Sequence, residues 1–222
     1  LEALSEGEQL LMQGMAEPSG LLRVSAPLTV TLLHLATAIP AFLASHPKLE
    51  LDLDLNDRRV DIVRDGFDVA VRASSSLEDS TLVARKLADM PYVVCAAPAY
   101  LAQHGTPQGP NDLRSHRLIR FTPSNTGRTW NFHRSHEQVQ VPVVAQYAVN
   151  TSLAMREAML CGYGLSLIPR PYVQADLQAG RLVTVLDDWR TRDVTIYAVY
   201  SSRHHLSPKV RAFVDFLIQA FA

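Results

Sequence analysis

The chain has 222 residues, 47% hydrophobic and 19% charged, enough apolar material to bury one large core or two small ones. Lys and Arg number 21 against 22 Asp and Glu, a net charge of −1, which argues against a dedicated nucleic-acid surface in this stretch. No apolar run approaches a membrane span and no charged-then-apolar leader opens the sequence, so a cytoplasmic location without a membrane partner is expected.

Residues 1–15 place Leu1, Leu4, Leu11 and Met15 on one helical face, with Glu8 interrupting it. The pattern is entered midway and without an initiator Met, so two readings stand: the end of a longer helix from a larger protein, or an amphipathic cap. Glu17, Pro18, Ser19 and Gly20 break the helix as a hinge. Residues 21–26 (LLRVSA) then read as a first strand, stopped by Pro27. A helix follows, with Thr29 as its N-cap and Leu32, Leu35, Ala36, Ile39 and Leu43 on its apolar side, kinked at Pro40. The turn from Ser25 to Val30 therefore offers backbone N–H groups and hydroxyls at a helix N-terminus, a geometry suited to an anion.

Residues 49–55 alternate Leu with acidic residues, the period of a half-buried strand. Asn56 or Asp57 is expected to cap a short helix carrying Val60, Ile62 and Val63, ended by Gly66. Val69, Ala70 and Val71 then deliver Arg72 to the carboxyl end of a second, parallel strand, completing a β-α-β unit. Ligands collect outside such strand ends, so Arg72 is a candidate anion receptor; the alternative is a surface ion pair. A polar loop over 73–80 and a strand over 82–87 follow.

At Pro91 the pattern restarts. YVVCAA is read as a strand, AYLAQHG as a helix, 118–121 as a strand, and 122–128, from Thr122, as a turn-rich loop. WNF and VQVPVV make a hairpin, and 146–149 a strand ending at Asn150, Thr151 and Ser152, which open a helix with Met155, Ala158 and Met159 on its apolar side. Capping alone also accounts for Thr151 or Ser152. Residues 165–168, ending at Ile168, form a strand stopped by Pro169. A helix over 171–179, strands over 182–186 and 194–200, and a terminal helix opened by Ser207-Pro208 complete the chain.

Strands and helices alternate around two centres, which predicts two α/β lobes with a cleft between them. The expected divisions are 1–19 as helix end and hinge, 20–90 with 194–222 as the first lobe, and 91–193 as the second. Catalytic chemistry finds little support. The 8 histidines lack metal spacing, Cys95 and Cys161 sit in apolar contexts typical of buried thiols, and there is no phosphate loop, dinucleotide fingerprint, nucleophile elbow or HExxH. Asp61, Asp65 and Asp68 fit helix and turn polarity. The expectation is binding without turnover, and neither a cofactor nor a metal.

The segments LRVSAP, IPAFLASHP, DRRVDIVRDGFDVAVR, LVARKLA, YVVCAAPAYLAQHG, NDLRSHRLI, GYGLSLIP, LQAGRLVTVL and VRAFVDFL, in this order and spacing, resemble the effector-binding domain of LysR-type transcriptional regulators across nearly the whole chain. The resemblance implies an α/β fold of two Rossmann-like lobes with an interlobe cleft, like type 2 periplasmic binding proteins, with crossovers near 87–93 and 193–197. It implies a small-molecule effector held by Ser25, Pro27, Thr29, Val30, Asn56 and Arg72 from one lobe and by Thr122, Asn150, Thr151, Ser152 and the segment near Ile168 from the other. It further implies a homodimer or homotetramer, and promoter DNA bound through an N-terminal winged helix-turn-helix absent from this chain. Many members carry Phe-Gly where this chain has Val30-Thr31. The rival readings are a transporter's solute-binding receptor, a small α/β enzyme and a bare dimerisation module.

Overall fold

The computed structural model describes residues 17–58, 60–74, 82–123, 128–191, 193–202 and 207–222. It opens with β1 (Gly20–Ala26), a three-residue helix α1 (Leu28–Val30) running into a π-helical turn (Thr31–Leu35), α2 (Ile39–Ser45), β2 (Leu49–Leu55), β3 (Val69–Ser74) and β4 (Leu82–Met90). Then come β5 (Tyr92–Ala96), α3 (Pro98–His104), β6 (Ile119–Phe121), β7 (Thr129–Arg134), β8 (Glu137–Pro142) and β9 (Tyr147–Val149). The chain closes with α4 (Ser152–Leu160), β10 (Ser166–Pro169), α5 (Arg170–Gln178), β11 (Val183–Val185), β12 (Val194–Ser201) and α6 (Pro208–Ala220). Two compact units result, one running to Ala88 and resuming at Thr195, the other Asp89–Val194, so the chain passes from unit to unit inside β4 and inside β12. The helix expected over 1–15, most of the serine-rich loop, and His204 and His205 lie outside the described residues.

The first unit is built on a sheet of order β2-β1-β3-β12-β4. β1 runs parallel to β2 and to β3, whereas β12 runs antiparallel to β3. Val69, Ala70 and Val71 are each at most 2% exposed, so β3 is buried on both faces, which is why it reads as a continuous apolar run and not as an alternation. α6 buries Val210, Phe213 and Leu217, and its Phe213 and Phe216 rings meet Phe42 of α2 at 5.7 and 4.8 Å. Lys209 fastens the same helix to β1: its Nζ donates to the Leu21 carbonyl at 2.6 Å and to Asp68 Oδ2 at 2.7 Å, and Asp68 also accepts from the Arg23 amide. Among the described residues no single helix is long and apolar enough to cross a membrane.

Three local expectations change. The first helix is not capped by Thr29: Pro27 occupies the N-cap, the Thr31 amide donates to the Pro27 carbonyl, and Thr29 lies inside the first turn. Between β2 and β3 a single turn at 62–66 replaces the expected helix. Its cap is Asp61, not Asn56 or Asp57. Asp61 Oδ1 accepts from the Val63 and Arg64 amides, and Asp65 Oδ2 accepts from the Asp61 amide. With those donors satisfied locally, Gly66 at φ +72° reverses the chain after one turn. Finally, β3 does not end at Arg72 but runs on to Ser74, because β12 pairs with it from Ser74↔Thr195 inward.

The second unit combines a sheet of order β10-β5-β11, the parallel pair β6-β9 and the hairpin β7-β8. The buried Ser166 hydroxyl donates to the Ile119 carbonyl at 2.9 Å, and the Ile119 amide donates to Leu165, tying β6 to β10. Gly164 makes that approach possible, since a Cβ there would stand 2.2 Å from the Arg117 carbonyl oxygen. Cys95 is fully buried beside Met159 and burial pushes its thiol up to about 12, whereas Cys161, expected to be buried, is exposed where α4 has ended.

The polar anchor of this unit is Asp176, fully buried on α5. Arg156 of α4 grips both of its carboxylate oxygens through Nε and Nη2, the latter at 2.8 Å, and Arg181 adds a further bond. Burial raises the Asp176 carboxyl, but the hydrogen bonds and charges of the two arginines overcome this and hold it below the ordinary carboxylate range. Its contribution to stability is therefore present at neutral pH and lost as pH falls through that lowered value. Arg156→Ala is expected to lower stability by about 3 kcal/mol, because a partly uncompensated charge stays buried. Urea denaturation followed by the fluorescence of buried Trp130 measures it, and a loss under about 1 kcal/mol would show that Arg181 suffices alone.

Candidate functional site

Strand register decides which side chains meet at the end of the first sheet. β1 pairs with β2 as Ala26↔Leu55 and with β3 as Ser25↔Ala70. One step beyond Ala26, Pro27 is therefore level with Asn56, just past the carboxyl ends of β1 and β2, and with Arg72 inside β3, two residues before that strand ends at Ser74. The Asn56 amide donates to the Ala26 carbonyl at 3.0 Å, extending the ladder to that level. Sequence spacing alone could not align these residues, which lie on three separate segments.

Each side chain at this edge has a distinct setting. Ser25 is 4% exposed at the end of β1. Thr29 and Thr31 are each 2% exposed, and neither hydroxyl oxygen has a hydrogen-bond partner among the described residues. Such orphaned buried hydroxyls usually mark a place for water or ligand. Val30 is fully buried, so only its backbone is available to a ligand. Asn56 is held from two sides, its amide group donating to Asp54 and its carbonyl accepting from the Arg58 amide. Arg72 is half-buried and one Nη donates to the Val60 carbonyl, which turns its guanidinium toward the chain segment following Asn56. Asp57, next to Asn56 in the chain, was expected only as a helix cap. That carboxyl is half-buried, and burial pushes it up to about 6.

The second unit repeats the arrangement on a smaller scale. β6 runs parallel to β9 with Phe121↔Val149, so Thr122 and Asn150 follow at one level, and the Thr122 amide donates to the Val149 carbonyl at 2.8 Å. Thr151 is the N-cap of α4, its hydroxyl accepting from the Leu153 amide, and Ser152 is buried in the first turn. Ile168 belongs to a different environment: it is fully buried in the core with Cys95, Ile119 and Met155. Among the described residues no group of three or more His, Cys, Asp or Glu could hold a metal.

Residues 15–222 match the family model of the LysR substrate binding domain. The chain is 37% identical over 219 residues to an uncharacterised HTH-type transcriptional regulator of Escherichia coli, YhjC, covering 98% of this chain and 73% of that protein. It is 35% identical over 201 residues to the HTH-type regulator PtxR of Pseudomonas aeruginosa, covering 90% of this chain but 64% of the relative. Among solved structures it resembles the regulatory domain of CrgA, a LysR-type transcriptional regulator from Neisseria meningitidis, with a TM-score of 0.81 and 28% identity over 92% of this chain and 100% of that one. The α/β class anticipated from sequence, two Rossmann-like units of the periplasmic-binding-protein type, is the fold of these regulatory domains.

The raised Asp57 carboxyl has a measurable consequence. Its folded-state value lies above the ordinary value of 3.8, so the stability it contributes is fully present below about pH 4 and is lost as pH rises through about 6. Asp57→Asn is expected to melt above the wild type at pH 7.5 and together with it at pH 4. Thermal unfolding at both values checks this; an offset that does not change with pH would mean that Asp57 carries its charge unhindered.

Proposed function

Because the chain belongs to the family of LysR substrate-binding domains, we propose that it is the effector-sensing and oligomerisation part of a DNA-binding transcriptional regulator. Its relatives are HTH-type regulators that extend beyond the matched region, the chain spanning 63% to 73% of the length of the first of them. This supports a DNA-reading part outside the present sequence. The near-neutral charge fits that division of labour, since DNA affinity would reside in the other part.

The observation that carries the reading is that Pro27 and Asn56, just past the ends of β1 and β2, lie level with Arg72 of β3. A small effector bearing a carboxylate or similar acceptor is received there by the Arg72 guanidinium, whose planar fork of donors suits such a group. Ser25, the Thr29 hydroxyl, the Val30 backbone and Asn56 supply the neighbouring contacts. In the second unit Thr122, Asn150, Thr151, Ser152 and the segment near Ile168 are the corresponding binding residues. Effector binding biases an equilibrium between two states of a homodimer or homotetramer, and the differential affinity of the effector sets how far it shifts. The regulator acts in the cytoplasm and performs no catalysis on its effector. That the relatives are regulators favours this reading over a transporter's receptor sharing the fold.

A thermal-shift screen against small carboxylates, aromatic acids, amino acids and sugar acids tests the proposal. At a concentration about 100 times its Kd, a ligand specific to the folded state adds about 2.7 kcal/mol, which is several degrees of melting temperature. Arg72→Ala is expected to weaken a hit by about 10-fold or more, the worth of a charge-assisted hydrogen bond. An effector bound equally well by the Arg72→Ala protein removes Arg72 from the site.

A further inference from the structure

The second unit contains a cavity of about 390 Å³ whose lining includes none of Thr122, Asn150, Thr151, Ser152 or Ile168. It lies between the first residues of β5, the end of β11 and the 186–191 loop, lined among others by Val93, Arg170, Leu186, Asp187, Trp189 and Thr191. That volume is at the small end of ligand pockets, enough for a molecule of a dozen or so heavy atoms.

Its walls are built and held in place. Leu186 has φ +61°, a conformation that non-glycine residues seldom adopt, and it is kept there by the Trp189 amide, which donates to the Leu186 carbonyl at 2.9 Å. Arg190 exchanges two backbone hydrogen bonds with His133 of β7, both 2.9 Å, and Arg134 lies 4.4 Å over the Trp189 ring. The hairpin β7-β8 thus braces the loop from behind. Inside, the chemistry is mixed. Trp189, Val93 and Leu186 give an apolar surface, and the Thr191 hydroxyl oxygen is shielded from solvent with no hydrogen-bond partner among the described residues. At its solvent-exposed rim Arg170 contributes a basic side chain with no carboxylate partner among the described residues, and Asp187 an acidic one that accepts from Thr184 at 3.0 Å.

We propose that this cavity is a second small-molecule site, separate from the strand-end site, and that it takes a free amino acid with an apolar side chain. A cation and a carboxylate on the same small cavity match the two charges of such a zwitterion. The apolar wall receives its side chain, and the Thr191 hydroxyl gains a partner that no described residue provides. The site lies wholly on the second unit and does not depend on the effector reading of Arg72.

Trp189 forms part of the wall, and its fluorescence reports occupancy. Titrating the 222-residue chain with L-leucine and L-phenylalanine is expected to change the emission saturably. Arg170→Ala and Asp187→Asn should each weaken the apparent affinity by about 10-fold, Thr191→Val by less, and Arg72→Ala not at all. Two analogues that lack one charge, 4-methylpentanoate and isoamylamine, should bind at least 10-fold more weakly than L-leucine. Absence of a saturable change with either amino acid overturns the proposal. So does binding that Arg72→Ala abolishes while Arg170→Ala and Asp187→Asn leave it intact, because the ligand then occupies the strand ends. Equal binding of 4-methylpentanoate and L-leucine overturns the zwitterion assignment. Circular dichroism of each variant confirms that it is folded, so that lost binding is read as a lost site.

Discussion

The seven-residue parallel register of β1 against β2, continued across to β3, is the constraint on which the first unit depends. A slip of one residue would turn every side chain of β1 to the other face and bring Arg23 into the core in place of Leu22 and Val24. The same slip would take Pro27 out of line with Asn56 and Arg72. Packing and site geometry are therefore one requirement here: the apolar residues that hold the strand in register also set the level at which the polar strand-end groups meet. Asp68 and Lys209 extend this constraint to the far end of the sequence, since the carboxylate that receives the Arg23 amide also receives the ammonium of α6.

The second unit solves its packing differently. Its strands are short, and beside two apolar clusters, one around Trp130 and Phe132 and one around Met155, Met159 and Ile168, a few polar contacts join its elements. Asp176 clamps α4 to the segment around Arg181, while the Ser166 hydroxyl and the close passage at Gly164 bring β10 against β6. Buried polar groups are costly unless every one is matched, and these are matched. A unit assembled this way gains specificity of arrangement from a few groups, and losing one of them affects the whole. Its strand ends at Thr122 and Asn150 are set by the same parallel-register logic as in the first unit.

The two proposed sites differ in geometry. At the strand ends, the groups are the backbone termini, hydroxyls and a guanidinium that parallel strands present by topology. In the β5–β11 cavity the walls come from a strained loop braced by a hairpin, and the groups are an aromatic ring, two opposite charges and an orphaned hydroxyl. The first is a consequence of the fold class and recurs wherever that fold occurs. The second depends on side chains particular to this sequence, and so can differ between proteins that share the fold.

Much of this was legible in the sequence. Period-two leucines marked β2, the uniform run at 69–71 marked a strand buried on both faces, Met155 and Met159 marked the inner side of α4, and Ser207-Pro208 marked the start of α6, because each is a local signal of periodicity or capping. The order and spacing of the motifs pointed to the family. What local signals could not convey were the outcomes of competition between neighbours. Asp61 displaced Asn56 and Asp57 as a cap because Asp65 lies four residues on and reciprocates. β3 ran past Arg72 because β12, more than 100 residues away, pairs with it. Cys161 emerged into solvent because the helix ends one residue before it. The sequence by itself determined the alternation of elements, the apolar faces and the family. Only the tertiary structure decided which distant residues share a level, which polar atoms are orphaned and where a cavity opens, since these depend on pairings and packings between segments that no local pattern encodes.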